Sequence, residues 1–175
     1  MRGQANFIKS VVANYWRYKR QCPLVAIETN LKLRPWRGGD RADVLVMTTG
    51  KQLVEIEVKT SIEDLKRDAN KEIHGDIDKE FNKYPIHAFF FALPEEIEKE
   101  AKTIIITEFP HAGILSVGRN SKRYYPEVKI TKLPKKFNNP VLGEGQIRQL
   151  MKGMSATLCR LLEENNKLKS ELYAR

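Results

Sequence analysis

Residues 51–60 read KQLVEIEVKT, and the reading of this stretch decides the fold. Val54, Ile56 and Val58 alternate with Glu55, Glu57 and Lys59, the period-two pattern of a strand with one apolar and one charged face. Just upstream, ADVLVM (residues 42–47) is a second apolar run, and the short polar turn TTGK between the two predicts an antiparallel hairpin. A three-residue loop of Thr49, Gly50 and Lys51 pairs Thr48 with Gln52 and sets Asp43 opposite Glu57, on the same face. A two-residue loop would turn Asp43 to the other face. The convergent register is the one expected, and in it Asp43, Glu55, Glu57 and Lys59 share one face.

Working outward, Phe7, Ile8, Val11, Val12, Tyr15 and Trp16 form an apolar stripe at helical spacing, predicting a helix over about residues 4–20 that stops before Pro23. LVAIETNLKL (24–33) alternates as a strand, with Glu28 on its polar face. The loop RPWRGGDR follows. Ser61 is placed to cap a helix that begins IEDL and runs to about Tyr84, with acids in its first turn. IHAFFFAL reads as a strand buried on both faces, PEEIEKEA as a helix, and TIIIT, GILSV and EVKITKL as shorter strands. The order helix, three strands, helix, strand and an αβ remainder argues for an α/β sheet flanked by helices.

The chain has 175 residues, 41% of them hydrophobic, enough for one core of good size and too few for two full domains. A surplus of 31 basic over 22 acidic residues gives a net charge of +9 and favours a polyanionic partner. Cys22 and Cys159 stand far apart without the paired spacing of a zinc site, which argues against a disulfide framework or a cysteine-based metal cluster and suits a cytoplasmic protein. No apolar run approaches the roughly 20 residues that cross a bilayer. The first 27 residues carry no acid, as in a transit peptide, but their apolar stripe leads straight into a strand and reads as a structural helix.

An acid followed two residues later by lysine occurs four times, at Glu57, Asp64, Glu100 and Glu127. Only Glu57 with Lys59 sits on a strong strand whose hairpin partner begins with an acid. Two carboxylates on neighbouring strands match what Mg²⁺ or Mn²⁺ takes from a protein, the ion keeping water or substrate oxygens elsewhere. Such an ion activates water and neutralises charge on a phosphodiester, and a lysine on the same face orients the nucleophile or stabilises the transition state.

The stretch RADVLVMTTGKQLVEIEVKTS resembles the active-site hairpin of the PD-(D/E)XK nuclease superfamily, and its wording, with the helix and aromatic strand that follow, is similar to the MmcB-like DNA-repair branch. The likeness spans about residues 5–117. It implies a restriction-endonuclease-like core with a mixed central sheet, a Mg²⁺- or Mn²⁺-dependent deoxyribonuclease acting in repair, recombination or mobile-element processing, metal ligands at Asp43, Glu57 and the Val58 carbonyl, and Lys59 as the catalytic lysine. Many relatives carry a glutamate in the first helix, and this chain has none there. Glu28 is the substitute, or else one exposed acid on a sheet face. A catalytically silent DNA-binding or scaffolding protein on the same fold is the alternative, and an RNA-processing nuclease a further one.

Arg34, Trp36, Arg37 and Arg41 in the first loop are candidates to grip phosphates or stack on bases, or are solvated loop charge around an anchoring tryptophan. Lys122 and Arg123 belong to a segment, Gly118 to Asn138, with seven basic residues against one acid, which suits a DNA-contacting flank or an exposed charged face. Glu55 is expected to be exposed and structural. The sequence divides into a nuclease-like domain over residues 1–138, a linker over 139–146, and a C-terminal helix over 147–175. In that helix Met151, Leu158, Asn165 and Leu172 fall at a positions and Ile147, Met154, Leu161 and Leu168 at d positions of a heptad. This seam, with Asn165 fixing register and Glu164 reaching Lys169 across a parallel pair, predicts a homodimer; a helix packed on its own domain is the other reading.

Overall fold

The computed structural model describes residues 2–29, 42–68, 86–119 and 126–173. In chain order the elements are helix α1 (Arg2–Asn14), which widens into a π-helical turn (Tyr15–Lys19), strands β1 (Leu24–Thr29), β2 (Ala42–Met47) and β3 (Leu53–Val58), helix α2 (Ile62–Asp68), strand β4 (Ala88–Pro94), helix α3 (Glu95–Glu108), strands β5 (Gly113–Arg119) and β6 (Pro126–Lys132), and the long helix α4 (Glu144–Tyr173). The strands form one mixed sheet in sequential order, with β3, β4 and β5 mutually parallel and the other neighbours antiparallel. Among the described residues, no helix is long and apolar enough to cross a membrane.

Strand alternation sends successive side chains to opposite faces, so the sheet carries a core on each side. Ile8, Val11, Val12 and Trp16 of the first helix cover Val44, Val46, Ile56, Val58 and Phe90. On the other face Leu65, Ile105 and Leu150 from α2, α3 and α4 cover Leu45, Leu53, Phe89, Phe91 and Ile114. The strand β4 is buried along its whole length, as its unbroken apolar run predicts.

The hairpin register is the convergent one. Lys51 N–H donates to the Thr48 carbonyl and Thr48 N–H to that of Gln52, each at 2.9 Å, while Lys51 takes the left-handed conformation (φ 57°) that closes a three-residue loop. Leu45 then stands opposite Glu55 and Val44 opposite Ile56. Ser61 caps α2, its hydroxyl accepting Asp64 N–H at 3.2 Å.

Four expectations need correction. TIIIT is not a strand but the second half of α3, because Ile97, Ala101, Ile104 and Ile105 recur at helical spacing and pack on the sheet, overriding the strand preference of three isoleucines. Glu55 is 2% exposed rather than solvated, since the face it shares with Leu45 and Phe89 is covered by helices. Residues 139–146 do not hang free: Leu142 N–H bonds the Lys51 carbonyl, Asn139 bonds the Ile86 carbonyl, Leu142 is buried, and α4 already begins at Glu144. The seam residues Ile147 and Met154 pack with Leu150 on this chain's own core, and a Cβ on Gly153 would come within 2.9 Å of the Thr29 methyl, so α4 presses closely against β1. Beyond that contact Leu158, Leu161, Leu168 and Leu172, like Met151 on the outer side, are at least half exposed, and Asn165 is exposed.

The buried His87 ties β3 to the segment around Phe137 that follows β6. Its Nδ1 accepts Leu53 N–H at 3.1 Å and its carbonyl accepts Phe137 N–H, and burial pushes the imidazole below the ordinary 6.5. A histidine whose folded value lies below its unfolded one contributes stability that is full above 6.5 and is lost as pH falls through the folded value. Thermal melts between pH 7.5 and 5 should therefore show a falling Tm for the wild type and a flatter profile for His87→Gln; equal slopes would remove His87 as the cause.

Candidate active site

Two hairpin registers build the site. Val44 pairs with Ile56, so the next residues, Asp43 and Glu57, face each other across β2 and β3. On the other side of β2, the pairs Ile27 with Val44 and Thr29 with Ala42 bracket Glu28 and set it opposite Asp43. Glu28, Asp43 and Glu57 thus form a transverse row over three adjoining strands, whose backbones lie about 4.8 Å apart. The row crosses the sheet at the carboxyl end of the parallel strands β3 and β4, where open α/β sheets bind their ligands. Thr29, the last residue of β1, and Ala42, the first of β2, lie at this same end.

The backbone departs from regular pairing at this row. Glu28 has φ of 49°, a conformation that non-glycine residues rarely adopt and that marks strain stored at functional positions. The hydrogen-bonded pairs of β2 and β3 would next place Val58 N–H on the Ala42 carbonyl; it donates instead to Asp43 Oδ2, at 2.8 Å. Asp43 is therefore locked by its neighbour strand.

Two lysines complete the cluster. Lys9 on α1 lies 2.8 Å from Asp43 Oδ1 and donates to Glu28 Oε1 at 3.0 Å. Burial lowers the Lys9 pKa, but the hydrogen bonds and charges of Asp43 and Glu28 outweigh it and hold the ammonium above the ordinary lysine value. Lys59 follows β3 and is buried; its ammonium lies 3.9 Å from Glu57 and 2.7 Å from Asp68 at the end of α2. Arg160, from α4, reaches Glu28 at 3.7 Å and Glu164 at 2.6 Å.

The residues read from the sequence are thus brought together: Asp43, Glu57 and Lys59 share one end of the sheet, and Glu28 joins them, held by Lys9 and Arg160. Val58 engages through its N–H. Arg34, Trp36, Arg37, Arg41, Lys122 and Arg123 lie outside the described residues. Sequence reading missed Lys9, Asp68 and Arg160. Lys9 does carry a signal, since with Ala5, Val12 and Trp16 it recurs at helical spacing on the face that packs inward, and Asp68 likewise falls three residues after the buried Leu65.

Among the described residues, no three His, Cys, Asp or Glu side chains converge into a cage made of protein alone. Asp43 and Glu57 instead offer hard carboxylate oxygens from facing positions, a donor set that fits a hydrated divalent ion needing one or two protein ligands. Asp43 Oδ2, though it accepts Val58 N–H, retains a second lone-pair direction.

No protein-family model and no curated protein matches the chain. In structure it is similar to the SPO1766 protein of unknown function from Silicibacter pomeroyi, with a TM-score of 0.56 and 18% identity over 93% of this chain and 90% of the other. That likeness is one of fold alone; this chain is an α/β protein with a six-stranded mixed sheet and a long C-terminal helix.

Proposed function

We propose that the protein is a metal-dependent deoxyribonuclease with a restriction-endonuclease-like core of the PD-(D/E)XK kind. The observation that carries this reading is the carboxylate row at Glu28, Asp43 and Glu57 with Lys59 beside it. Asp43 and Glu57 would hold Mg²⁺ or Mn²⁺, which supplies Lewis acidity toward a phosphodiester and a more acidic bound water. Lys59, fixed by Asp68 next to Glu57, is positioned to orient the attacking water and to stabilise charge developing on phosphate oxygens. The net charge of +9 supports binding of a polyanion, with Arg34, Arg37, Arg41, Lys122 and Arg123 as candidate phosphate contacts and Trp36 as a stacking group.

The test is incubation of the purified chain with duplex, single-stranded and branched DNA, with Mg²⁺, Mn²⁺ or EDTA. Metal-dependent cutting of at least one substrate is expected, with less on matched RNA. The pairing of both site lysines with carboxylates favours a second reading, a silent DNA-binding protein on the same fold. It calls for salt-sensitive DNA binding with no cutting under any metal.

The leucines of α4 beyond Met154 support pairing with a second copy, Asn165 setting the register and Glu164 facing Lys169 across the seam. Sedimentation equilibrium should show a dimer, and Leu161→Lys with Leu168→Lys a monomer. A monomeric wild type at tens of micromolar, roughly the range where a seam this short should hold, removes the dimer.

A further inference from the structure

We propose that Arg160 of α4 is a substrate contact: its guanidinium leaves Glu28 and Glu164 to clasp a backbone phosphate of the nucleic acid on the β1 side of the carboxylate row. This rests on the reading above that the site faces DNA, and it gives the C-terminal helix a part in binding besides pairing with a second copy. α4 starts at the turn end of the sheet, where Leu142 N–H bonds the Lys51 carbonyl, and runs to the carboxylate end, where Gly153 meets Thr29. Glycine inside a helix costs stability, and here the missing Cβ is what lets α4 close on Thr29. Arg160 stands seven residues further on, two turns along and on the same face. Helical side chains lean toward the N-terminus, so a long arginine there reaches back to the level of Glu28, which it meets at 3.7 Å.

The cations at the row differ in how firmly they are held. Lys9 is 14% exposed and bridges Asp43 and Glu28 at 2.8 and 3.0 Å, and Lys59 is 6% exposed and lies 2.7 Å from Asp68. Arg160 is 47% exposed and beyond hydrogen-bond distance from Glu28, while its 2.6 Å partner Glu164 is itself 55% exposed. Ion pairs of that exposed kind exchange with water and other anions at little cost, whereas buried pairs do not. When Arg160 leaves, Lys9 still holds Glu28 Oε1 and water takes up Glu164, so neither carboxylate is stranded. A phosphate offers Arg160 what its present pose does not, two oxygens matching two arms of the guanidinium fork at once. Pairing of Glu164 with Lys169 across the seam would loosen Arg160 further.

The experiment is fluorescence anisotropy of a labelled DNA duplex titrated with the full chain, in EDTA and again in Ca²⁺, across about 50 to 200 mM NaCl. Arg160→Gln should weaken binding by about tenfold and lower the slope of log affinity against log salt by about one, the signature of one lost phosphate contact. Arg148→Gln removes the same charge from the same helix about 18 Å away, at the turn end of the sheet, and should change affinity by less than about twofold. Glu164→Gln, which leaves Arg160 in place without its competitor, should bind about threefold more tightly than Glu163→Gln, an equal loss of charge one residue away that does not touch Arg160. A slope and affinity for Arg160→Gln equal to those of Arg148→Gln, or equal affinities for the two glutamate variants, would overturn the inference. Thermal melts establish that Arg160→Gln is folded; the glutamate pair keeps the arginine and decides the question if it is not. No salt-sensitive binding by the wild type in either buffer removes the DNA reading together with this inference, whereas wild-type binding that Arg160→Gln leaves intact removes this inference alone.

Discussion

Asp43→Asn and Glu57→Gln are each expected to reduce metal-dependent DNA cleavage by about a hundred- to a thousandfold, the scale on which one lost charge-stabilising group acts. Both substitutions keep the shape and remove the charge. Asparagine can still accept Val58 N–H through its amide oxygen, so the end of the hairpin stays tied, and only the pairing with Lys9 and the ion is weakened. Glutamine at position 57 sits beside Lys59 at the same distance but no longer draws a cation. Single-turnover cleavage rates measured beside thermal melts separate the two contributions: a large drop in rate with Tm shifted by only a few degrees supports the assignment. Rates within a factor of three of wild type for both variants would sink it, whatever the substrate.

Asp68→Ala should lower the unfolding free energy by about 3–5 kcal/mol, because it removes one partner of a buried ion pair and leaves the other charge in the interior. Both side chains qualify, Lys59 being 6% and Asp68 1% exposed at a separation of 2.7 Å. Replacing both, Lys59→Met with Asp68→Leu, should restore most of that loss, since two apolar side chains fill the space without desolvating a charge. Urea denaturation of the wild type, Lys59→Met, Asp68→Leu and the double variant closes the double-mutant cycle, with Asp68→Ala measured beside them. A loss under about 1 kcal/mol for Asp68→Ala would mean that water or another group compensates Lys59, and the ion pair would then not be what fixes its position.

Much of the candidate site was legible because a β-hairpin is a local object. Once Thr49, Gly50 and Lys51 are read as the loop, counting alone puts Asp43 opposite Glu57, and period two puts Lys59 on their side. The run at Phe89, Phe90 and Phe91 was equally readable, because only a strand covered on both faces tolerates three successive aromatics. TIIIT was misread because intrinsic preference and tertiary packing disagree there. Three isoleucines favour a strand, and the inward faces of Ile97, Ala101, Ile104 and Ile105 win. Glu55 was misjudged for a related reason: alternation gives the face a side chain takes, not whether helices cover that face.

The sequence by itself determined the β2–β3 hairpin, its register and the placing of Asp43, Glu57 and Lys59 at one end of it, all of which follow from dihedral periodicity and turn length over some twenty neighbouring residues. Only the tertiary structure decided which charges hold that trio and Glu28 beside it. Lys9 comes from a helix 34 residues before Asp43, Asp68 from the end of α2, and Arg160 from α4 more than a hundred residues away. Such pairings arise when a helix docks at one angle and depth on the sheet, and that geometry is set by how Val12, Leu65 and Leu150 pack into the two cores. No spacing rule along the chain encodes it, so the counter-ions of the site, and the fate of the C-terminal stripe that turns partly inward at Met154, emerged only in three dimensions.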